Sequence, residues 1–425
     1  MARLAPDETG RGKAAFVPFV LAGEQVEAEV TEERPGFVRA RASEINQASP
    51  QRIEPRCPYF ARCGGCHYQH TNYAHQLEIK REILLETLRR TAKVELPCEL
   101  NVVSAEPWHF RNRTRLKVRT SPDFAIGYFR HVSHELLPVR ECPISSPLLN
   151  RALAALWALE AELVRYPELR EVQLFANHAD AELMMELYVE RAREKGHYKP
   201  LADALAQAIP ELIGTTIFEY APIRDGDEDR PPVASRSGVV HTFGAKGMEY
   251  EVGAHRYRVS AGSFFQTNRY LSEKLVSLVT ANYAGKNALD LFAGTGLFSL
   301  PLANKFARVT SVEASPFSGA DLRANAEGRT IKAVERDTAS FIDSTATQAY
   351  DLVVVDPPRA GLGERTTRKL ARLKTPRIVY VSCDPSTLAR DLRVLTESEF
   401  RVQQANLVDL FPQTFHMESV FHLAR

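Results

Sequence analysis

The C-terminal part of the chain alternates short apolar runs with segments of helical periodicity. The runs ALDLF, RVTSVEA, YDLVVVDPP and RIVYVSCDP follow one another between residues 288 and 385. Continuous apolar runs of this length predict strands buried on both faces, and their alternation with helices predicts a parallel, doubly wound sheet. We therefore expect residues 256–425 to form a Rossmann-like α/β domain.

Residues 1–50 carry shorter strand signals separated by turn residues, namely AAFVPF, VEAEV and GFVRARA. In the last of these, Phe37, Arg39 and Arg41 fall on one face of a strand, and Val38 and Ala40 fall on the other. This pattern predicts a small N-terminal β-barrel with a basic outer surface. An ordinary solvated strand face fits the same pattern equally well.

Residues 51–255 mix helical and strand patterns and predict a middle α/β domain. An amphipathic helix is expected over residues 73–93, and it is a candidate to pack on the C-terminal domain. Further helices are expected over residues 151–164 and 198–209, with two strands between 171 and 190 around a turn. The polar, proline-rich stretch at 222–238 predicts a mobile loop.

One strand of this middle region is strongly basic. In FRNRTRLKVRT, cations occupy every second position, so that a strand would place them on one face: Arg111, Arg113, Arg115, Lys117 and Arg119. No acidic residue lies between Phe110 and Thr120 to pair with them. Phosphate is the simplest partner for such a face, which predicts an RNA-binding strand.

The overall composition indicates a class of protein but does not indicate a binding partner. The 425 residues contain 54 Lys and Arg against 53 Asp and Glu, so a net charge of +1 does not itself indicate a polyanion partner. No apolar run approaches the length of about 18 residues that a membrane span needs, so we expect no membrane contact. Six cysteines are too few for a disulfide framework and favour a reducing compartment, the cytoplasm. A monomer is expected.

A glycine-bearing turn predicts a cofactor site. Gly294 and Gly296 lie between a buried strand and a helix, and the next strand ends in Glu313, where a ribose diol would be held. The turn lacks the third glycine of a dinucleotide site, with Phe298 and Ser299 in its place, so we favour S-adenosylmethionine. Asp337, after a third strand, is expected to contact the adenine amine.

Two later strands end in groups that suit methyl transfer to a pyrimidine. Asp356 begins the rigid Asp-Pro-Pro-Arg turn after one strand, and Cys383 ends the next. A cysteine is often an inert packing residue, but this one directly precedes an Asp-Pro-Ser turn. A thiolate that adds to carbon 6 of uracil makes carbon 5 nucleophilic, which predicts Cys383 as the nucleophile of a uridine-5 methyltransferase.

That chemistry also requires a base, which removes the proton from carbon 5 after methyl transfer. Glu418 lies in the apolar stretch FHMESVFHL near the end of the sequence, where a carboxylate is costly unless it has a partner or a task. His416 and His422 are rival candidates.

Four cysteines predict a metal centre. Cys57, Cys63 and Cys66 lie close together in RCPYFARCGGCHYQH, and Cys142 is the nearest candidate for a fourth ligand. Four thiolates fit either zinc or an iron–sulfur cluster; the spacing favours a closed 4Fe-4S cluster, with zinc as the alternative. Cys98 is then left as a packed thiol.

Taken together, these motifs resemble the RNA uracil-5 methyltransferase family, over nearly all of the 425 residues. GRGKAAFVPFVLAGEQVEAEV is similar to the family's RNA-binding TRAM domain, an OB-like barrel, and CPYFARCGGCHYQH with ECPIS is similar to its 4Fe-4S site. The resemblance implies that the cluster ligands are Cys57, Cys63, Cys66 and Cys142. SFFQTN, VSCDPSTLARDL and HMESV imply that Gln266 contacts the cofactor together with Phe292, Glu313 and Asp356, that Cys383 is the nucleophile, and that Glu418 is the base.

The resemblance leaves the RNA substrate open. A 23S ribosomal RNA is favoured over a transfer RNA. Other possibilities are a cytosine-5 methyltransferase and an RNA-binding iron–sulfur protein without this activity. Asp384 stands where the family usually has Asn, and we expect its charge to raise the pKa of Cys383. Phe292 occupies a position often held by Tyr.

Overall fold

The computed structural model describes residues 2–3, 13–220, 238–345 and 348–425. The predicted proline-rich loop at 222–238 lies outside the described residues, except for Gly238. No helix of the described part is both long and apolar enough to cross a membrane. Strands and helices are numbered below in chain order.

A four-stranded sheet opens the chain. Its strands, in the spatial order β1-β2-β4-β3, are β1 Ala2–Arg3, β2 Ala14–Phe16, β3 Gln25–Glu33 and β4 Phe37–Gln47. Val38 and Ala40 are buried and Arg39 and Arg41 are exposed, as the alternation predicts. Arg39 and Arg41 lie 3.5 Å and 3.0 Å from Glu32 and Glu29 on β3, so the expected basic face is partly neutralised. Closure of this sheet into a barrel stays a prediction.

Helix α1 (Tyr73–Thr87) continues into a π-helical turn (Leu88–Ala92), and strand β5 (Leu100–Val103) follows. The helix begins where the Asn72 side chain accepts a hydrogen bond from the His75 amide. Its buried leucines pack into the core of the C-terminal domain, and β5 joins the C-terminal sheet as an edge strand. The residues up to Val103 thus contribute a helix and a strand to the C-terminal domain.

A seven-stranded sheet with helices on one face forms the middle of the chain. In the spatial order β12-β11-β10-β9-β6-β7-β8, its strands are β6 Arg113–Arg119, β7 Ala125–Phe129, β8 Leu136–Pro138, β9 Leu169–Ala176, β10 Leu183–Val189, β11 Leu212–Glu219 and β12 Val239–Gly244. The helices are α2 Pro147–Ala158, α3 Glu160–Leu163 and α4 Lys195–Ala208. The predicted helices and strands of this region are present, and the helix expected over 151–164 is divided into α2 and α3.

The basic strand is β6, and its cations do share one face, while Thr114, Leu116 and Val118 are buried on the other. The inference that these cations lack acidic partners is wrong. Glu186 on β10 pairs with Arg113 at 3.1 Å, and Glu171 on β9 pairs with both Arg115 and Lys117. Partners within a sheet come from laterally adjacent strands, which are distant in sequence. Three of the five expected RNA contacts are therefore already engaged within the protein.

The C-terminal domain begins with a hairpin, β13 Gly247–Val252 and β14 His255–Ser260, which runs through the expected boundary at residue 255. Seven strands follow: β15 Gly285–Leu291, β16 Phe306–Glu313, β17 Ile331–Glu335, β18 Leu352–Val355, β19 Arg377–Ser382, β20 Arg401–Val408 and β21 Glu418–Ala424. The helices between them are α5 Ser272–Thr280, α6 Ser299–Ala303, α7 Pro316–Ala326, α8 Thr338–Ser344, α9 Gly363–Ala371 and α10 Pro385–Glu397.

These strands form one sheet with β5, in the order β17-β16-β15-β18-β19-β21-β20-β5. Neighbours are parallel, except that β21 runs antiparallel to both β19 and β20. The predicted doubly wound α/β fold is confirmed. The strand order reverses between β15 and β18, and in such sheets ligands bind beyond the carboxyl ends of the strands at this point.

Candidate active site at the carboxyl edge of the C-terminal sheet

Cys383 directly follows β19 and Glu418 begins β21, and these two strands are antiparallel neighbours. Ser382, the last residue of β19, pairs with Ser419 on β21, so the next residues in this register are Cys383 and Glu418. Opposed residues in an antiparallel pair have Cα atoms about 4.5–5.5 Å apart. The fold therefore brings the predicted nucleophile and the predicted base to the same place at the edge of the sheet.

The electrostatics of this pair raise the pKa of both groups. Burial, reinforced by Glu418, raises the pKa of the Cys383 thiol to about 11, while Arg359 opposes the rise. Burial and the neighbouring Asp356 raise the pKa of Glu418 well above its usual range. Glu418 Oε1 is buried and has no hydrogen-bond partner among the described residues. An unpartnered buried oxygen of this kind marks a place where a ligand group can complete the hydrogen bonding.

Asp356 follows β18, the strand next to β19, and burial raises the pKa of its carboxyl to about 7. The turn that it begins is fixed by hydrogen bonds to helix α10. Thr387 Oγ1 donates to the Arg359 carbonyl at 3.1 Å, and Arg390 donates to the Ala360 carbonyl at 2.8 Å. These bonds hold Arg359 beside the thiol, where its charge lowers the pKa of Cys383. Sequence reasoning did not include Arg359 among the site residues.

The glycine turn after β15 leaves space for a ligand. Gly294 has a φ of 57°, and a Cβ added there would meet nothing within 4 Å. Its amide donates to Glu313 Oε2 at 2.8 Å, and the Ser315 amide donates to Oε1 at 2.6 Å. Gly296 has a φ of 98°, which favours glycine, and its Cβ would lie 3.0 Å from Leu300. Open space beside Gly294 and a fixed carboxylate fit a nucleoside-bearing cofactor.

The other predicted cofactor residues occupy different environments. Phe292, with a φ of 62°, is half-buried at the start of the glycine turn, and Gln266 is buried in the segment after β14. Asp337 is exposed and caps helix α8 by accepting a hydrogen bond from the Ser340 amide at 3.0 Å, which lowers the pKa of Asp337. Asp337 therefore has a structural role as a helix cap. Its contact with adenine stays a prediction.

Asp290, which was not predicted, lies beneath the glycine turn on β15. It is fully buried, accepts a hydrogen bond from Ser299 Oγ at 2.5 Å, and has its pKa raised by burial to about 7. Its Oδ1 has no partner among the described residues. The sequence signal is an acidic residue within the apolar run ALDLF.

The two histidines that rivalled Glu418 are less well placed. His422 Nδ1 contacts the Tyr283 hydroxyl at 2.6 Å, and His416 Nδ1 lies 3.3 Å from Arg359 Nη2. Burial lowers the pKa of each to about 4, so both are neutral near pH 7. Of the three candidates, Glu418 is the residue that the strand register sets opposite Cys383.

Asp384 caps helix α10. Its carboxylate accepts hydrogen bonds at 2.9 Å from the amides of Ser386 and Thr387. Besides burial, the groups that raise the pKa of Cys383 most are Glu418 and Asp356. The helix N-terminus stabilises the negative charge of Asp384, and its expected effect on the thiol stays a prediction.

The segment 409–417 connects β20 to Glu418, and we call it the base loop. Its centre is Gln413, whose carbonyl accepts hydrogen bonds from the amides of His67 at 2.8 Å and Tyr68 at 3.0 Å. The side chains of Gln76 and Gln413 are also hydrogen-bonded at 3.0 Å. The loop that delivers the candidate base is therefore held by the residues that directly follow Cys66.

A buried ion pair fixes the start of the base loop. Lys80 on α1 reaches Asp409 Oδ1 at 2.5 Å, and the side chains of both residues are fully buried. Lys80 also donates to the Phe411 carbonyl at 3.0 Å, and the Tyr73 hydroxyl donates to Asp409 Oδ2 at 2.8 Å. Sequence reasoning missed this contact because its partners are more than 300 residues apart.

The four predicted ligand cysteines line one small cavity in the middle domain, together with Arg111: Cys57, Cys63, Cys66 and Cys142. All four are free thiols, and burial raises the pKa of Cys63 to about 11. Arg111 Nε is buried without a hydrogen-bond partner among the described residues, and its charge opposes the rise at Cys63. Arg111, predicted as an RNA contact, thus faces the thiols. Cys98 packs against the C-terminal core.

The 4Fe-4S cluster expected at these cysteines stays a prediction. Among the described residues, no three His, Cys, Asp or Glu side chains are grouped so that they could hold a metal ion. A zinc ion with bonds of about 2.3 Å requires its thiolates to lie within about 4 Å of one another. Four free thiols around one cavity supply the number of ligands that a 4Fe-4S cluster takes.

Three comparisons relate the chain to known proteins. The family described as tRNA (Uracil-5-)-methyltransferase matches residues 245–425. An uncharacterized RNA methyltransferase of Aquifex aeolicus is 33% identical, over 96% of this chain and 93% of that protein. The 23S rRNA (uracil(1939)-C(5))-methyltransferase RlmD of Shewanella amazonensis is 29% identical, over 96% of this chain and 90% of that protein.

One solved structure resembles the whole chain. It is the Pyrococcus abyssi tRNA (uracil-54, C5)-methyltransferase in complex with S-adenosyl-L-homocysteine, which matches with a TM-score of 0.76 and 27% identity over 100% of both chains. The likeness therefore covers the N-terminal sheet and the middle domain as well as the catalytic sheet.

Proposed function

Because the chain belongs to the RNA uracil-5 methyltransferase family, we propose that it transfers a methyl group from S-adenosylmethionine to carbon 5 of a uridine in RNA. The observation that supports this most directly is that Cys383 and Glu418 lie next to the paired residues Ser382 and Ser419, close enough for Glu418 to raise the pKa of the thiol. A thiol and a carboxyl on facing strands can act on adjacent carbons of one pyrimidine ring.

In the first step, the Cys383 sulfur forms a bond to carbon 6 of the uracil, and the electrons of the carbon 5–carbon 6 double bond move to give an enolate. The thiolate is the reactive form, and burial opposes its formation. Arg359 favours the thiolate because its charge lowers the pKa of Cys383. In this proposal Asp356, which follows the strand next to that of Cys383, orients the ring and the cofactor.

S-adenosylmethionine, when bound, supplies the methyl group that carbon 5 receives. Glu418 then removes the remaining hydrogen of carbon 5 as a proton. The electron pair of that C–H bond restores the carbon 5–carbon 6 double bond, and the bond from carbon 6 to sulfur breaks to release the Cys383 thiolate. A carboxylate whose pKa is raised by burial is a stronger base than an exposed one, which suits this proton transfer.

We assign the cofactor to the crevice beyond β15, β16 and β18. Gly294 and Gly296 would let it approach the backbone, and Glu313 would hold its ribose. The other contacts that we propose are Gln266, Phe292, Asp337 and Asp356.

We propose that Cys57, Cys63, Cys66 and Cys142 hold a 4Fe-4S cluster. With four protein ligands the cluster would have no open iron, so it would act as a structural cross-link between the segment 57–66 and Cys142. Arg111 would offset part of its negative charge. In this proposal residues 1–50 form a TRAM-like RNA-binding domain, residues 51–255 the cluster domain and residues 256–425 the catalytic domain.

We propose 23S ribosomal RNA as the substrate, because a relative similar over 96% of this chain is named for that reaction. The alternative is a transfer RNA, for which the similar Pyrococcus abyssi structure is named. Mass spectrometry of both RNAs from cells that lack the protein decides between them. Loss of 5-methyluridine from 23S RNA alone supports the proposal, and its persistence in both RNAs contradicts it.

The mechanism is tested with RNA that contains 5-fluorouridine, because fluorine on carbon 5 cannot leave as a proton and the covalent adduct persists. The wild-type protein with S-adenosylmethionine should form an adduct that survives denaturation. Cys383→Ala should form none, while Cys98→Ala should behave as wild type. Glu418→Gln should accumulate an adduct even with ordinary uridine, because the proton on carbon 5 stays in place. If Cys383→Ala still formed the adduct, another residue would be the nucleophile.

A further inference from the structure

Phe415 is an exposed aromatic residue in a loop that is otherwise largely buried. Its side chain is 49% exposed, whereas Gln413, Thr414 and Met417 are buried. Its ring centroid lies 4.3 Å from that of His67 and 4.3 Å from that of His416, with interplanar angles of 52° and 53°. The three rings form a cluster that fixes Phe415 while leaving half of it open to solvent.

This cluster lies beside the proposed active site. Phe415 is three residues before Glu418, and His416 is 3.3 Å from Arg359, the cation that acts on Cys383. The three rings thus form an aromatic surface with an exposed arginine next to it.

A single-stranded nucleic acid fits this combination. An enzyme that acts on carbon 5 must take the uridine out of its stack, which costs a few kcal/mol and leaves neighbouring bases without a stacking partner. Aromatic side chains stack with any nucleobase, and a nearby arginine can pair with the backbone phosphate. An exposed phenylalanine has no other evident task in the base loop, whose remaining contacts are made by buried residues.

We propose that Phe415, held by His67 and His416, is a stacking site for an unpaired nucleobase next to the target uridine. The proposal rests on the proposed function, since it places RNA over the same edge of the sheet. It adds a substrate contact on the base loop that is separate from the cysteine, the base and the cofactor turn.

The test compares Phe415→Ala and Phe415→Tyr with the wild type, using Val164→Ala as a control at a similarly exposed residue, 39% exposed, at the end of α3. The probe is a fluorescein-labelled, single-stranded uridine dodecamer, whose Kd is measured by anisotropy. Removal of one stacking ring should weaken binding at least about fivefold in Phe415→Ala. Phe415→Tyr, which keeps the ring, and the control should bind as the wild type does.

Equal binding by Phe415→Ala and the wild type overturns the proposal, as does a wild type that fails to bind the dodecamer. A change in sedimentation of Phe415→Ala with unchanged RNA binding would also overturn it, in favour of contact with a second copy of the chain. Formation of the 5-fluorouridine adduct by the wild type is measured in parallel. If the wild type forms no adduct, the proposed function is refuted. If the wild type forms the adduct and Phe415→Ala binds the dodecamer with the wild-type Kd, only the stacking site is refuted.

Discussion

Gln76 and Gln413 hydrogen-bond each other twice, although they are 337 positions apart in the chain. Gln76 Nε2 donates to Gln413 Oε1 at 3.0 Å, and the Gln413 amide donates to Gln76 Oε1 at 3.1 Å. Gln413 has a φ of 67°, a conformation that non-glycine residues adopt rarely and that its surroundings must stabilise. The pair links helix α1 to the base loop, and it is one reason that Glu418 lies where it does.

Replacement of Gln76 by Ala should therefore reduce catalysis through the position of Glu418. Two buried groups of Gln413 lose their partners, which should lower the free energy of unfolding by about 1–3 kcal/mol. A shift of the base by about 1 Å is expected to lower kcat tenfold or more. The KM for S-adenosylmethionine should stay unchanged, because the hydrogen bonds that Glu313 accepts come from Gly294 and Ser315 and not from the base loop. Steady-state kinetics and urea unfolding provide the measurements.

Gln403→Ala is the matched control for this experiment. Gln403 is exposed on β20, the strand that leads into the base loop, and its loss should alter neither kcat nor stability appreciably. If Gln76→Ala unfolds more easily but keeps the wild-type kcat, the glutamine pair stabilises the fold without positioning the base.

The reactivity of Cys383 should respond in opposite directions to two substitutions. Glu418→Gln removes a carboxylate that raises the pKa of the thiol, so that pKa should fall below about 11. Arg359→Gln removes the charge that lowers it, so the pKa should rise. At pH 8 the thiolate fraction, and with it the rate of alkylation by iodoacetamide, should increase in Glu418→Gln and decrease in Arg359→Gln. Mass spectrometry of the Cys383 peptide follows the rate, with the Cys98 peptide as an internal reference.

The same pKa shifts set the pH dependence of the wild type. Both the thiol and the Glu418 carboxyl have raised pKa values, and both act after losing a proton. In the free enzyme, kcat/KM should accordingly increase with pH across the neutral range. A rate that falls between pH 6 and pH 8 would show that the free enzyme does not titrate in this way.

The catalytic fold was predictable because its evidence is local. The strands β15, β16, β18 and β19 each contain a short, largely apolar run, and Gly294, Glu313, Asp356 and Cys383 lie at or just after the ends of these strands. Once the strands are parallel, their carboxyl ends must lie on one edge. Strand β5 was not predicted as part of this sheet because it is separated from its neighbour β20 by about 300 residues.

The sequence-based expectations for the basic strand were wrong where a side chain contacts a residue that is distant in sequence. Arg115 lacks an acidic neighbour along the chain, but Glu171 lies beside it across the sheet. Arg111 was grouped with the other cations by its spacing, yet its partners are the thiols of the middle domain. The alternation of residues along a strand predicts which side chains lie on the same face of the sheet. It does not predict which residues of the neighbouring strand lie beside them.

Two substitutions on the basic strand test whether its cations pair with carboxylates of the protein or with RNA phosphate. Arg115→Gln leaves Glu171, which is 2% exposed, with Lys117 as its remaining partner, so it should lower stability by about 1–3 kcal/mol. It should leave the salt dependence of RNA binding unchanged. Arg119 is exposed, and if it contacts phosphate, Arg119→Gln should reduce the slope of log K against log salt by about one. If Arg115→Gln also reduced the slope of log K against log salt, Arg115 would contact RNA as the sequence predicts.

The ion pair between Lys80 and Asp409 should be important for stability because both side chains are fully buried. Lys80→Met removes the cation and leaves the Asp409 carboxylate buried with only the Tyr73 hydroxyl, which should cost about 3–5 kcal/mol at pH 7. Lys199→Met is the matched control. It breaks an exposed pair with Asp203 and should cost at most about 1 kcal/mol.

A second substitution separates the charge of Lys80 from its packing. Lys80→Met with Asp409→Asn should regain part of the loss at pH 7, because no unpaired charge remains buried. Urea unfolding of the wild type and of both variants at pH 7 gives the free energies to compare. If the double variant is no more stable than Lys80→Met, then Lys80 stabilises the loop by packing and by its bond to the Phe411 carbonyl rather than through its charge.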